Sequence, residues 1–366
     1  MRFEMVIYIY GAVCASMIVF NIVYNLLQKN SEFRMQKRCR KIKGKIDAQL
    51  SRLAAGKKVE EAHLRKLRRK LSHIKYLMAF HHVLQTDMEQ KPALYQAYLY
   101  QIRPVVLYMA AVYRDKENMQ AGYFVYFLSC YTADKQLAME SLQDILLDYV
   151  QKTNLYCRFN ALQAMYHFAT PETVAKALGI ADDGSVFLHE KLITEGLLSY
   201  RGDHHALIEQ LWKKMDHYSA HMQLAIMNYI RFRSGDYQQE MYQIMMDEKA
   251  DKELRLAAIR YCGKYPYEPA YEPLLTFVKD KDATKWEFAT VAASSLASYE
   301  GKVVMDALKG ALHNSNWYVR YAAAQSLEHL HVNYDDVVDI TAGSDRYARE
   351  MLMYRLESRK LQSLEV

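Results

Sequence analysis

Residues 316–330, NWYVRYAAAQSLEHL, carry apolar or small side chains at Val319, Ala323 and Leu327, every fourth position, with polar residues among them. That spacing lays one apolar stripe along an α-helix. The frame is an apolar residue, often followed by arginine, then small or apolar residues four and five positions on and an apolar residue eight on. It recurs from Ala348 (Arg349, Leu352, Met353, Leu356), Phe288 (Ala292, Ala293, Leu296), Leu254 (Arg255, Ala258, Ile259, Cys262), Met222 (Ile226, Met227, Ile230) and Cys157 (Arg158, Ala161, Leu162, Met165). Weaker copies begin at Leu188 and Tyr123. The starts at 123, 157, 188, 222, 254, 288, 319 and 348 lie 29 to 34 residues apart, and a near-constant period of that length marks a repeat array. Each interval has room for a second amphipathic helix, such as YEPLLTFVKD, VVMDALKGAL or ALIEQLWKKM. Breaks such as ATPET, RSGD, KYPYEP and TAGSD fall between helices, where turn residues belong.

The N-terminal pattern has a different character. Residues 5–27, MVIYIYGAVCASMIVFNIVYNLL, contain no charge, and about 20 apolar residues cross a bilayer. The stretch predicts a single transmembrane helix. A cleaved signal peptide is the alternative, but its apolar core would be shorter and its start more basic. Lys29, Arg34, Lys37, Arg38, Arg40, Lys41, Lys43 and Lys45 follow directly, against Arg2 alone on the other flank. Positive charge stays on the cytoplasmic side, so the expected topology is single-pass, N-terminus outside and everything after residue 28 cytoplasmic. Within the span, Gly11 and Ala15 are small residues one turn apart, as are the amides Asn21 and Asn25. Small residues permit close helix approach and amides seek hydrogen bonds, so these four residues are candidates for contact with a partner's membrane helix.

Two amphipathic helices are expected next, one with Ile42, Ile46, Leu50 and Leu53 on its apolar face and one with Leu64, Leu67, Leu71, Ile74 and Met78. Their polar faces are dense in Lys and Arg. Just inside a bilayer, residues 34–70 would be drawn to anionic lipid headgroups, at about 1 kcal/mol per basic residue near the surface. A nucleic acid would also suit a basic stripe, but no zinc-finger, RNP or helix-turn-helix signature accompanies it, and none is expected as a partner. The organisation is therefore read as an anchor over 1–28, basic juxtamembrane helices over 29–88 and a repeat array over 89–366.

Composition narrows the class. With 6 Pro and 13 Gly in 366 residues the chain is expected to be all-α. The net charge of +6 conceals an asymmetry: Lys29 to Lys75 holds 17 Lys and Arg against 4 Asp and Glu, a local +13, leaving −7 for residues 76–366. That acidic balance disfavours DNA as a ligand of the array. The 30 tyrosines are amphipathic side chains able to half-bury along helix seams or to stand at a contact surface. Cys14, Cys39, Cys130, Cys157 and Cys262 are far apart, with no zinc spacing, and most of them read as small core residues of a reducing compartment.

The repeated unit, clearest in NWYVRYAAAQSL, resembles the HEAT-repeat family, specifically its short, alanine-rich bacterial type also found in phycobilin-lyase-like proteins. The resemblance is strong over roughly 250–360 and extends to 120. It implies paired antiparallel helices stacked into a right-handed α-α superhelix, a HEAT-like solenoid, with the frame-bearing helix of each pair on the concave side. In that family the arginine after the first frame residue often joins a ladder with an Asp of a neighbouring repeat. Arg158, Arg255, Arg320 and Arg349 match that position, whereas Phe124, His189, Gln223 and Ala289 depart from it, which puts a continuous ladder in doubt. From the residues alone, an arginine there leaves the edge of the buried stripe, lays its stem across the alanines and reaches loop carbonyls or an acid. These four arginines are expected to be structural.

On the same helical wheel the positions just before the frame and six residues into it face outward. They read Tyr156, Gln163, His221, Asn228, Glu253, Arg260, Glu287, Tyr318, Gln325, Tyr347 and Tyr354, a mixed polar and aromatic surface suited to a protein partner. Catalytic or cofactor chemistry is sparse. His217 and His221, His204 and His205, and His81 and His82 lack an accompanying carboxylate cluster and read as surface or capping histidines. No phosphate loop, GxSxG or Cys–His pair is present. The expectation is a membrane-tethered scaffold, not an enzyme and without a cofactor, holding a membrane-associated protein. A tethered lyase or DNA glycosylase of HEAT type, or a lipid-binding protein, is the alternative.

Overall fold

The computed structural model describes residues 3–133, 137–184 and 188–362. Five of the helices that carry the frame begin where a short polar side chain accepts a hydrogen bond from an amide of the first turn, which helix geometry leaves without a partner. Asn154 accepts from the Cys157 amide at 2.9 Å, Ser219 from Met222 at 3.3 Å, Asp251 from Glu253 and Asn316 from Tyr318, both at 2.8 Å, and Asp345 from Tyr347 at 3.0 Å. Each of these caps stands three residues before a frame start, so the cap sets the phase of the buried stripe. Cys157, Met222, Leu254, Val319 and Ala348 are all buried.

The chain forms two compact units. The first, residues 1–187 with 200–202, contains α1 (Phe3–Ala54), α2 (Glu61–Leu71), α3 (Ile74–Asp87), α4 (Pro92–Gln101), α5 (Arg103–Arg114), α6 (Asn118–Thr132), α7 (Leu142–Val150), α8 (Leu155–Phe168) and α9 (Pro171–Asp182). The apolar stretch and the first basic amphipathic segment are one unbroken helix of 52 residues. Only its C-terminal part is packed: Ile42, Ile46 and Leu50 are buried where α1 meets α3 and α4. The helix expected from Leu64 to Met78 is instead two, because His73 is extended and separates α2 from α3. The break resets the phase, so Leu77 is fully buried and Met78 is 40% exposed. Further on, α6 packs on α8, and α5, α7 and α9 pack in series.

The second unit, residues 188–199 with 203–366, contains α10 (Glu190–Leu198), α11 (His204–Trp212), α12 (Ala220–Arg233), α13 (Gln238–Met246), α14 (Lys252–Lys264), α15 (Tyr271–Lys279), α16 (Trp286–Ser295), α17 (Lys302–Ala311), α18 (Trp317–His329), α19 (Val338–Thr341) and α20 (Arg346–Gln362). The even-numbered helices pack each on the next, and each odd-numbered helix packs on the even one that follows it. This is a two-layer stack of helix pairs, and among the described residues no strand is present.

Two weak frame copies are out of register. Tyr123 is half-buried, whereas Phe124, one residue on, is fully buried; α6 has no side-chain cap to set its phase. Leu188 precedes α10, which is capped by His189, so the residue three beyond that cap, Leu192, is 40% exposed and the buried stripe runs through Ile193 and Leu197.

Tyrosine hydroxyls bond helix pairs to their neighbours. In the first unit, buried Tyr113 donates to the Leu71 carbonyl at 2.7 Å, Tyr149 to Ala110 at 2.6 Å and Tyr200 to Ala169 at 2.9 Å. In the second, Tyr261 donates to Ser234 at 3.0 Å and Tyr299 to Cys262 at 3.1 Å, and these oxygens also accept from the Tyr237 and Tyr267 amides. Ser295 and Ser326 add bonds to the Ile259 and Ala293 carbonyls of the preceding frame helices, at 3.0 and 2.9 Å. Much of the tyrosine content is thus seam rather than surface.

Candidate functional site: an aromatic face on the last helix pairs

The caps that launch α18 and α20 also place aromatic residues in their first turns. Trp317 and Tyr318 follow Asn316, Tyr347 follows Asp345, and Trp286 opens α16. Trp286 stacks on Tyr318 at 5.3 Å between ring centres, Trp317 meets Tyr318 edge-on at 5.2 Å, and Trp317 stacks on Tyr321 at 5.0 Å. The faces left over are open to solvent: Trp317 is 49% exposed, Tyr318 56%, Tyr347 68% and Tyr354 62%. A cleft of about 510 Å³ lies among Trp317, Tyr321, Tyr347, Met351 and Tyr354, with Arg320 and Glu350 at its edge.

Arginines hold this surface from beneath. Arg320 donates to the Asn314 and Ser315 carbonyls at 2.7 and 3.2 Å and lies 5.4 Å from the centre of the Tyr347 ring. Arg355 donates to the Tyr321 hydroxyl at 3.3 Å, pairs with Glu328 at 2.5 Å and sits 5.4 Å from the centre of the Tyr321 ring. Rings pinned by cation–π contacts lose little further freedom when something docks on them. The other frame arginines also reach main-chain carbonyls: Arg255 bonds Met245 in the last turn of α13 at 3.1 Å, Arg349 bonds Gly343 before α20 at 3.0 Å, and buried Arg158 bonds Ala181 in the last turn of α9 at 2.7 Å.

The outward positions are only partly gathered. Tyr347 and Tyr354 line the cleft and Tyr318 borders it, while Gln325 is exposed on α18. Asn228 and Arg260 are half-buried on α12 and α14. His221 is engaged with the Leu188 carbonyl at 3.0 Å and with Glu190 at 3.4 Å. Glu287 pairs with Lys252 at 2.6 Å, and Glu253 is exposed. Tyr156 and Gln163 belong to the other unit, with Tyr156 exposed and Gln163 half-buried. Trp286, Trp317 and Tyr321 escaped the wheel because they lie two residues before or after the frame start. The available signal was their recurrence there, Trp286 and Trp317 both standing two positions ahead of it.

In α1, Gly11, Ala15, Asn21 and Asn25 are exposed; Asn21 donates to the Met17 carbonyl at 3.0 Å. This helix is long and apolar enough to cross a membrane, and none of its most apolar window is buried. His81, read above as a surface residue, is instead 2% exposed, its Nδ1 3.1 Å from the Tyr123 hydroxyl. Among the described residues no group of three or more His, Cys, Asp or Glu is placed to hold a metal.

Residues 239–328, from α13 into α18, match the family of HEAT repeats. No curated protein sequence matches the chain. HEAT repeats build a helical repeat scaffold for protein interaction, and the aromatic face starts inside the matched stretch and continues beyond it.

Proposed function

We propose that this chain is a single-pass membrane scaffold, N-terminus outside, whose cytoplasmic helix pairs form a right-handed solenoid of the short bacterial type and hold a membrane-associated protein on the aromatic face of α16, α18 and α20. The observation that carries the reading is the cluster of solvent-open rings Trp317, Tyr318, Tyr347 and Tyr354, with Tyr347 held by Arg320 and the neighbouring Tyr321 by Arg355. Exposed Trp and Tyr backed by Arg are the composition of interface hot spots. The anchor reading rests on the unburied apolar length of α1 and on the positive charge that follows it. Anchor and face engaging one membrane complex together raise effective concentration, so neither contact need be strong alone.

A photo-crosslinking amino acid at Gln325, exposed on α18 one turn beyond Tyr321, tests the reading in native membranes. One discrete protein adduct is expected, lost in the double substitution W317A/Y347A while the protein level is unchanged. An adduct pattern that ignores those substitutions would remove the aromatic face from the proposal.

A further inference from the structure

Where α1 leaves its apolar stretch, the break at His73 turns α3 back so that its first turns run beside α1. Between them is a cleft of about 380 Å³, lined on its cationic side by Arg34, Arg38 and Lys75 and on its apolar side by Leu27, Met35 and Met78. Asn30 and Ser31 complete the lining, and no Asp or Glu takes part. Two other cations of α1 are paired within the fold, Lys43 with Asp87 at 2.7 Å and Arg52 with Glu60 at 3.2 Å. Among the described residues Arg34, Arg38 and Lys75 have no ion-pair partner, and Arg38 lies 5.9 Å from the centre of the Tyr76 ring. Three positive groups gathered without a carboxylate repel one another and call for an anion.

Depth identifies the anion's source. Leu27 ends the apolar stretch, and Arg34 and Arg38 follow it by seven and eleven residues, which is about 10 and 16 Å along a helix axis. Long helical side chains lean toward the N-terminus, here toward the bilayer, which brings the Arg34 guanidinium back to the level of the lipid phosphates and leaves that of Arg38 on the aqueous side of them. Leu27 then borders the acyl chains, and Met35 and Met78 offer soft apolar walls for the glycerol region. We propose that this cleft binds the phosphate of one anionic phospholipid. The inference rests on the reading of α1 as a membrane anchor and assigns that lipid a built site rather than a diffuse basic surface.

The full-length protein in detergent, examined by native mass spectrometry with added phosphatidylglycerol or phosphatidylcholine, provides the test. A one-to-one phosphatidylglycerol adduct is expected, at least tenfold weaker in R34Q/R38Q/K75Q and weakened in the milder R38Q. It should be kept in K57Q/K58Q/R65Q, which loses the same charge at exposed positions outside the cleft. Equal loss in both triple variants, or equal binding of phosphatidylcholine, overturns the built site. Displacement of the lipid by millimolar inorganic phosphate overturns the lipid as its occupant. Alkaline carbonate extraction of the same membranes separates this from the premise. A chain released by carbonate defeats the anchor itself, whereas a retained chain with unchanged adducts in R34Q/R38Q/K75Q defeats only the cleft.

Discussion

His81 lies among Tyr123, Tyr126, Phe127 and Tyr131, with ring centres 5.5 to 5.9 Å away. Its Nε2 is buried without a hydrogen-bond partner, and burial holds its pKa down at about 4, with neighbouring His82 acting in the same direction. The folded state therefore keeps the ring neutral, while the unfolded chain takes up the proton near pH 6.5. Stability from this site is complete above about pH 6.5 and declines as pH falls toward 4, by up to about 3 kcal/mol. Buried His63, also shifted down by desolvation, adds in the same direction. Hydrogen exchange in α3 and α6, corrected for intrinsic rate, should accelerate between pH 6.5 and 4.5, and H81Q should flatten that dependence; an unchanged pH response in H81Q would count against the assignment. Nothing in the adjacent pair His81–His82 distinguishes a caged ring from an exposed one, because the cage is supplied by α6, some forty residues on. The reach of Arg320 to nearby carbonyls was legible, since frame position and stem length decide it locally.

At the level of helices, the frame was readable wherever a cap sits three residues ahead of it, as at Asn154, Ser219, Asp251, Asn316 and Asp345, because cap and stripe are both local. It failed at α6, where tertiary packing alone sets the phase, and at the α2–α3 break, which lies inside an otherwise regular leucine spacing. Close approach between frame helices is a second tertiary fact. A methyl group added at Gly263 on α14 would come within 2.6 Å of the Ser295 Cβ and 2.8 Å of its Cα on α16. The G263A protein should lose about 1–3 kcal/mol through overpacking, despite alanine's better helix propensity. Chemical denaturation read from Trp286 and Trp317 fluorescence checks this, and a stabilised variant would show that the two helices can part without cost.

Taken whole, the molecule has charge of one sign concentrated beside its apolar segment and the opposite balance beyond it. Under the proposed topology, the exposed thiol of Cys130, which belongs with the acidic part, would face the cytoplasm. In a variant keeping Cys130 as its only cysteine, a membrane-impermeant maleimide should label inverted vesicles and spare intact cells; labelling of intact cells would reverse the topology. The repeat class was legible because periodicity needs no distant contact. The clustering of rings at α16, α18 and α20 was not, because it depends on which side-chain faces meet once neighbouring pairs stack.

The uninterrupted run of α1 has a mechanical consequence. No turn or hinge lies between Asn25 and Ile46, so the portion suited to lipid and the portion locked into the first unit rotate as one shaft. Successive residues on that shaft differ by about 100° of azimuth. A neighbour that gripped Gly11 and Ala15 and twisted them by even a single position would apply torque directly to the packing of Ile46 against α3 and α4, so the first unit cannot swivel independently of what its apolar end touches.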